Sequence, residues 1–305
     1  MSIELRHLRY FLAVAEELHF GRAAQRLHIA QPPLSQQIKS LEETIGYPLF
    51  QRSSRSVKLT PAGAFLLERA RRTLANVNED LEGVRSVARG EVGLLRVGFV
   101  GSAMLTLLPE TLRRYRSLYP KVQLRLAEFH TSFLMEQLRA GSLDVAVLRD
   151  GGVAEDFHIE PLYSEPFLAL LPARHHLARR AAVPVEKLRD ESFVFFPRIA
   201  GDFAWQNAVG IFHRHGFEPR VVQEAPQWLT IARLVRAGIG LSIAPDSVRQ
   251  IVTSDVVCRR LAGEKTSTTI DLVYRRKETD PLVMGFCEVA RKTFTTRSSR
   301  RAPER

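Results

Sequence analysis

The sequence predicts a multidomain chain: a mainly helical N-terminal unit of winged helix-turn-helix type, a long linker helix, and a two-lobed α/β domain. Three observations carry this. Two short amphipathic helices meet at a tight turn and are followed by a cation-rich hairpin. A narrow apolar stripe then repeats at steps of three and four. Beyond it, short apolar strands alternate with amphipathic helices.

In the first segment, Leu5, Leu8, Phe11, Leu12 and Ala15 share one helical face, and a second short helix turns Ala23, Ala24 and Leu27 inward. His28-Ile29-Ala30 is a tight connection into QPPLSQQIKSLEETIG, where Leu34, Ile38, Leu41 and Ile45 recur at 4, 3 and 4. Two helices joined this briefly form a helix-turn-helix, whose second helix enters the DNA major groove. Ala30 offers no capping oxygen, but Pro32 and Pro33 occupy the first turn, where an N–H has no intrahelical acceptor anyway. The outward face carries Pro33, Ser35, Gln36, Lys39 and Ser40, all short or polar. Gly46 ends this helix. Leu49–Arg52 and Ser56–Leu59 then read as two strands about a polar turn, with Arg52, Arg55 and Lys58 clustered as on a wing. A plain three-helix bundle with a solvated basic face is the alternative, and the ordered run of turn, helix and basic hairpin disfavours it.

The run FGRAAQRLHIAQPPLSQQIKSLEETIGYPLFQRSSRSVKLTPAG resembles the N-terminal signature of the LysR-type transcriptional regulators over about 44 residues. That resemblance implies promoter DNA as partner, with Gln31, Pro32, Pro33, Ser35, Gln36, Lys39, Arg52 and Arg55 as its contacts. It also implies a homodimer, usually assembled into a tetramer, with RNA polymerase as a further partner. Many relatives carry Arg where this chain has Gln36. Arg pairs with guanine and Gln with adenine, so a shifted base preference is expected there.

Thr60-Pro61 starts a helix, and Leu66, Ala70, Leu74, Val77, Leu81, Val84 and Ala88 follow a near-heptad seam. So narrow a stripe, flanked by charges, is expected to pair with a second copy rather than with its own domain. From Leu94 the pattern changes. Strands are predicted at Leu94–Val100, Val122–Phe129 and Asp144–Leu148, then at Phe167–Leu171, Phe193–Phe196, Val221–Glu224, Leu241–Ala244 and Ile270–Arg275. Helices are predicted after Val100 through Tyr119, and at Phe133–Arg139, Phe203–His215, Trp228–Arg236 and Pro281–Thr296. This alternation implies βαβ units and a largely parallel sheet. The domain plan is 1–59 for the DNA-binding unit, 60–89 for the linker, 90–296 for the effector domain and 297–305 for a basic, disordered tail. Lobe I takes 90–161 and 266–296, and lobe II takes 162–265.

Ligands in such sheets sit beyond the carboxyl ends of strands. Gly101 and Ser102 follow one strand and Thr131 another, so two helix N-termini are expected to face one anion-binding cleft. Arg149 is placed to pair with a ligand carboxylate, and Phe203 to wall the pocket. Ser102 and Thr131 serve equally well as helix caps, and Phe203 as core. The family resemblance implies a sensing half like the periplasmic binding proteins, with the effector between lobes. LRVGFVGS, EFHT and DVAVLRD are similar to regulators of aromatic-compound breakdown, which implies an organic acid anion, aromatic or dicarboxylic, as effector.

Composition agrees with a large globular chain. It has 305 residues, 45% of them hydrophobic, and a formal charge of +11. Residues 1–89 hold 13 Lys and Arg against 9 Asp and Glu, and residues 291–305 hold 6 against 1, so the excess lies at the two ends. No nucleophile elbow, P-loop, HExxH or GxGxxG occurs, and an enzyme is not expected. The nine histidines are scattered, with His175-His176 in a loop, and neither a metal nor another cofactor is expected. The start MSIELRHLRYF lacks a signal-peptide pattern and no apolar run is long enough for a membrane, which points to a cytoplasmic protein rather than a secreted binding protein. Cys258 and Cys287 leave a redox sensor as one more alternative.

Overall fold

A computed structural model describes residues 3–53 and 56–298. The chain divides into two compact units, Met1–Ser86 and Val87–Arg305.

The first unit runs α1 (Leu5–Glu17), α2 (Phe20–Arg26), α3 (Gln31–Ile45), β1 (Phe50–Arg52), β2 (Val57–Leu59) and α4 (Pro61–Ala88). Its core gathers Phe11, Val14, Ala23, Leu34, Ile38 and Leu41 with Leu49 and Phe50 from the approach to the wing. The Phe11 and Phe50 rings lie 5.4 Å apart. The buried face of α1 differs from the expected one: Phe11, Ala13, Val14 and Ala15 are buried, whereas Leu5 is exposed. Leu8 and Tyr10 pack against the same core, half-buried, so the face reaches into the first half of the helix without Leu5.

His28, at φ 55°, takes the left-handed backbone that turns α2 into α3. Ala30 makes no side-chain cap and the prolines occupy the first turn. β1 and β2 pair antiparallel, Phe50 opposite Leu59. Thr60 ties the wing to the linker helix: its Oγ1 accepts from Gly63 N (3.0 Å) and donates to Pro48 O (2.8 Å).

The linker stripe splits in two, against the single seam expected. Ala70 is buried and Leu66 packs against the unit's own core, whereas Leu81 and Val84 are 51% and 69% exposed in the single chain.

The second unit opens with β3 (Val92–Phe99), a short 3-10 turn at Gly101–Leu105, α5 (Leu108–Leu118), β4 (Lys121–Glu128), α6 (Thr131–Arg139) and β5 (Val145–Arg149). β6 (Phe157–Pro172), β7 (Ala182–Pro184), β8 (Ser192–Phe195), α7 (Asp202–Arg214), β9 (Arg220–Glu224) and α8 (Trp228–Arg236) follow. β10 (Ser242–Pro245), β11 (Val256–Ala262), β12 (Ser267–Arg275) and α9 (Pro281–Ser298) complete it. The sheet is mixed, not largely parallel. β3 pairs parallel with β4 and β5, but β12 runs antiparallel to both β5 and β6. The return of β12 from the second lobe reverses its direction.

β6 is one strand shared by both lobes. It pairs with β12 through Pro166, then from Phe167 with β10 and β11. The first crossing therefore falls at Pro166–Phe167, five residues beyond the 161/162 boundary expected, and the second lies between Ala262 and Ser267. Each lobe has its own core, one around Tyr115, Val147 and Phe286, the other around Phe193, Phe195 and Phe212. Gly90, at φ +67°, fits tightly against Pro281 and the start of α9, where any Cβ would come within 2.8 Å of Pro281.

Candidate nucleic-acid interface and ligand cleft

The first half of α3 presents one solvent-facing surface. Gln31, Pro32, Pro33, Gln36 and Lys39 are exposed and Ser35 is half-buried, while Leu34, Ile38 and Leu41 face inward. Two residues that the periodic pattern did not single out fix α2 and the wing around this helix. His19 accepts from Gly21 N and Arg22 N, capping α2. Glu42 accepts from Leu49 N (2.8 Å) and Phe50 N (3.1 Å) and binds Arg52 at 2.7 Å, clamping the wing to α3. Arg52 also lies 4.8 Å over the Phe20 ring. Its guanidinium is thus paired within the unit, while the residue stays exposed on the wing as expected of a wing cation. Lys58 is exposed on the wing, and Arg55 lies outside the described residues.

In the second unit a cavity of about 300 Å³ opens between the lobes. Gly101, Ser102, Thr131 and Arg149 all line it. Phe203 does not: it is 50% exposed and its ring covers Gly152, whose missing side chain makes the room. The two facing helix N-termini reduce to one, because Gly101–Leu105 is a short 3-10 turn. At α6, His130 rather than Thr131 is the cap, accepting from Phe133 N at 3.3 Å. Thr131 instead donates to Arg149 O at 3.3 Å.

Arg149 departs most from expectation. It is 6% exposed, and its Nη2 binds Glu165 Oε1 at 2.8 Å. Its Nε donates to Ser102 Oγ and its Nη1 to Thr268 Oγ1, both at 3.1 Å. Glu165, itself 2% exposed, also accepts from Ser247 N (2.6 Å) and Ser247 Oγ (3.0 Å). The charge foreseen for an incoming carboxylate is already neutralised by the chain's own carboxylate. Glu165 was not legible as a partner, since it stands 16 residues away in a Pro- and Tyr-containing stretch.

Beneath the cleft, Asp271 is buried and its Oδ2 accepts from Gly151 N at 2.7 Å, while its Oδ1 has no hydrogen-bond partner among the described residues. Burial pushes its carboxyl above the ordinary range, and the neighbouring Asp150 adds to this. A raised folded-state pKa contributes stability that is fully present below the ordinary value and is lost as pH rises through the raised one. Asp271→Asn keeps an acceptor for Gly151. The variant is therefore expected to melt at or above wild type at pH 7, with its margin shrinking toward pH 4. Parallel melting curves over that interval would refute this account.

Among the described residues, His175, His176 and Glu191 are the group that could hold a metal. The fold brings Glu191 beside the two histidines, which sequence spacing did not foresee. His175 nevertheless has both ring nitrogens engaged: Nδ1 accepts from Leu177 N at 3.3 Å and Nε2 faces Glu191 Oε1 at 3.1 Å. It has no lone pair to spare for an ion. The two thiols are buried in different cores. Burial pushes both above the ordinary thiol range, Cys287 to about 12. Neither is a reactive thiolate at neutral pH, and the two cannot pair. No helix among the described residues is long and apolar enough to cross a membrane.

Comparison with known proteins agrees with this division. Residues 5–64 match the family described as "Bacterial regulatory helix-turn-helix protein, lysR family", and residues 88–295 match the "LysR substrate binding domain". The chain is 38% identical over 288 residues to the transcriptional regulator AlsR of Bacillus subtilis, covering 94% of this chain and 95% of that one. It is 35% identical over 297 residues to the regulator TfdS of Cupriavidus pinatubonensis, covering 95% and 98%. Full-length CbnR in complex with its target DNA superposes with a TM-score of 0.79 at 30% identity, over 96% of this chain and all of that one. The protein is therefore a member of the LysR family of DNA-binding transcriptional regulators, with a helix-turn-helix domain and an effector-binding domain.

Proposed function

We propose that the exposed N-terminal half of α3 reads promoter DNA and that occupancy of the interlobe cleft sets the outcome. Pro33, Ser35 and Gln36 meet base edges, Gln31 and Pro32 shape the entry of the helix, and Lys39 and Lys58 meet phosphates. Arg52 acts indirectly, by holding the wing against α3. The carrying observation is that α3 buries Leu34, Ile38 and Leu41 while leaving Gln36 and Lys39 in solvent.

The protein acts as a homodimer built on the distal stripe of α4, assembled further into a tetramer. Exposed Leu81 and Val84 support this reading, since two such residues on one narrow face of a helix call for cover. Ligand in the cleft favours one setting of the lobes, and α4, which runs unbroken into Ala88, passes that setting on to DNA bending and polymerase access. No chemistry is performed in the cleft: Ser102, its hydroxyl nearest to a nucleophile's role, faces a guanidinium rather than a base.

Selection from a random duplex pool tests the reading. Wild type is expected to enrich paired half-sites, and Gln36→Arg to exchange adenine for guanine at one position of each half-site. Identical motifs would remove Gln36 from the contact set, and enrichment of no motif would remove the base-reading role of α3.

A further inference from the structure

Resting on the reading of the cleft as the effector site, we infer that its ligand is a small organic cation: an amine or amidine on a flat apolar body, and not an acid. The charges that line the cavity carry this. Arg149, its one guanidinium, is cancelled by Glu165 at 2.8 Å. Two carboxylates remain, Glu128 and Asp150. Among the described residues, neither has a cation within ion-pair distance.

Asp150 is held by neutral donors: Thr268 Oγ1 (2.7 Å), Thr269 N (2.8 Å), Thr269 Oγ1 (3.3 Å) and Asn207 Nδ2 (3.3 Å). Glu128 ends β4, with its carboxylate lying over the Gly101 backbone; a Cβ on Gly101 would come within 2.6 Å of Glu128 Oε1. The absence of a side chain at Gly101 thus lets an acid occupy the mouth of the site. The Gln227 amide meets the same point at 3.0 Å and rotates to donate or accept.

The apolar walls agree with a cation. Phe129, Phe196 and Trp228 line the cavity, with the Phe196 and Trp228 rings 5.7 Å apart and edge to face. Ring faces attract cations and repel anions. At α6, His130 takes one of the first-turn N–H groups, that of Phe133. A carboxylate entering here meets two carboxylates without counter-ions, whereas an ammonium or amidinium meets a carboxylate within an aromatic-lined cavity. The organic acid anion expected from the sequence is therefore replaced by a ligand of opposite charge.

The test is a charge series on one body, measured by ligand-observed NMR on the full-length protein: benzamidine, benzamide, benzoate and cis,cis-muconate. Benzamidine is expected to bind at least tenfold more tightly than benzoate. Glu128→Gln should weaken benzamidine about tenfold and leave benzamide unchanged. Tighter binding of benzoate or muconate, or benzamidine binding indifferent to Glu128→Gln, overturns the charge assignment and leaves the sensing cleft standing. Benzamidine binding that survives Ala204→Leu, which fills the cavity, lies elsewhere and also overturns it. Silence across the whole series overturns both the assignment and the reading of the cleft on which it rests.

Discussion

Glu165→Ala is expected to lower the melting temperature of the effector domain by on the order of 10 °C. The substitution strips the counter-charge from a guanidinium that is 6% exposed. Breaking one side of a buried pair costs about 3–5 kcal/mol, because the remaining charge is left in a poor dielectric without compensation. For a domain of this size, each kcal/mol moves the midpoint by about 2–4 °C. The loss also releases Ser247, whose backbone N–H and hydroxyl both donate to Glu165. Since Arg149 ends β5 in the first lobe and Ser247 follows β10 in the second, the carboxylate bridges the lobes as well as balancing charge. The double variant Arg149→Leu, Glu165→Leu removes both charges together and should recover much of the loss. Thermal melts of wild type, Arg149→Leu, Glu165→Leu and the double variant form a cycle whose coupling is expected above about 1 kcal/mol. Additive effects would mean that the pair is screened and that the neutrality of the cleft does not depend on it.

That network also marks where sequence reading stopped. Periodicity found the elements whose burial is one-sided and local: Leu34, Ile38 and Leu41 on α3, and α8 with the bounds predicted for it. It missed elements whose reason for existing lies elsewhere in the chain. The first half of β6, FHIEPLYSEP, alternates poorly and holds two prolines, because its partner is β12, more than 100 residues away. β11, VVCRRLA, breaks its apolar run with two arginines, yet pairs with both β6 and β7. The candidate site was legible in part for the same reason. Gly101, Ser102, Thr131 and Arg149 stand at strand ends, where topology alone places ligands. The charge of the cleft depends on Glu165 and Glu128, and only the fold sets the first against Arg149 and the second over Gly101. Read as a single residue, Arg149 is an unpaired cation, because its counter-charge is distant in sequence.

The same contrast between local propensity and tertiary contact governs two glycines of α4, and it yields a prediction of opposite signs. On propensity alone, Ala should stabilise the helix at either position by about 0.5–1 kcal/mol. Gly83 has nothing within 4 Å of its virtual Cβ and lies off the apolar stripe, so Gly83→Ala is expected to gain that amount. Gly63 is buried, and a Cβ there falls well inside contact distance of the Leu49 carbonyl oxygen and 3.0 Å from Leu59 Cδ2. The obstacle is backbone, which cannot swing aside like a side chain. That backbone is also pinned, with Leu49 N donating to Glu42 and Leu49 O accepting from Thr60 N at 3.0 Å. Overpacking of this kind costs about 1–3 kcal/mol and more where nothing yields, so Gly63→Ala should lose several times what Gly83→Ala gains. The wing would be forced off α3, and the Glu42 clamp on Arg52 with it. Promoter affinity is therefore expected to fall steeply in Gly63→Ala and to be unchanged in Gly83→Ala, as read by fluorescence anisotropy beside chemical unfolding. Equal behaviour of the two variants would mean that the linker helix does not bear on the wing through Gly63, and the positioning of the DNA-contact face would then need another support.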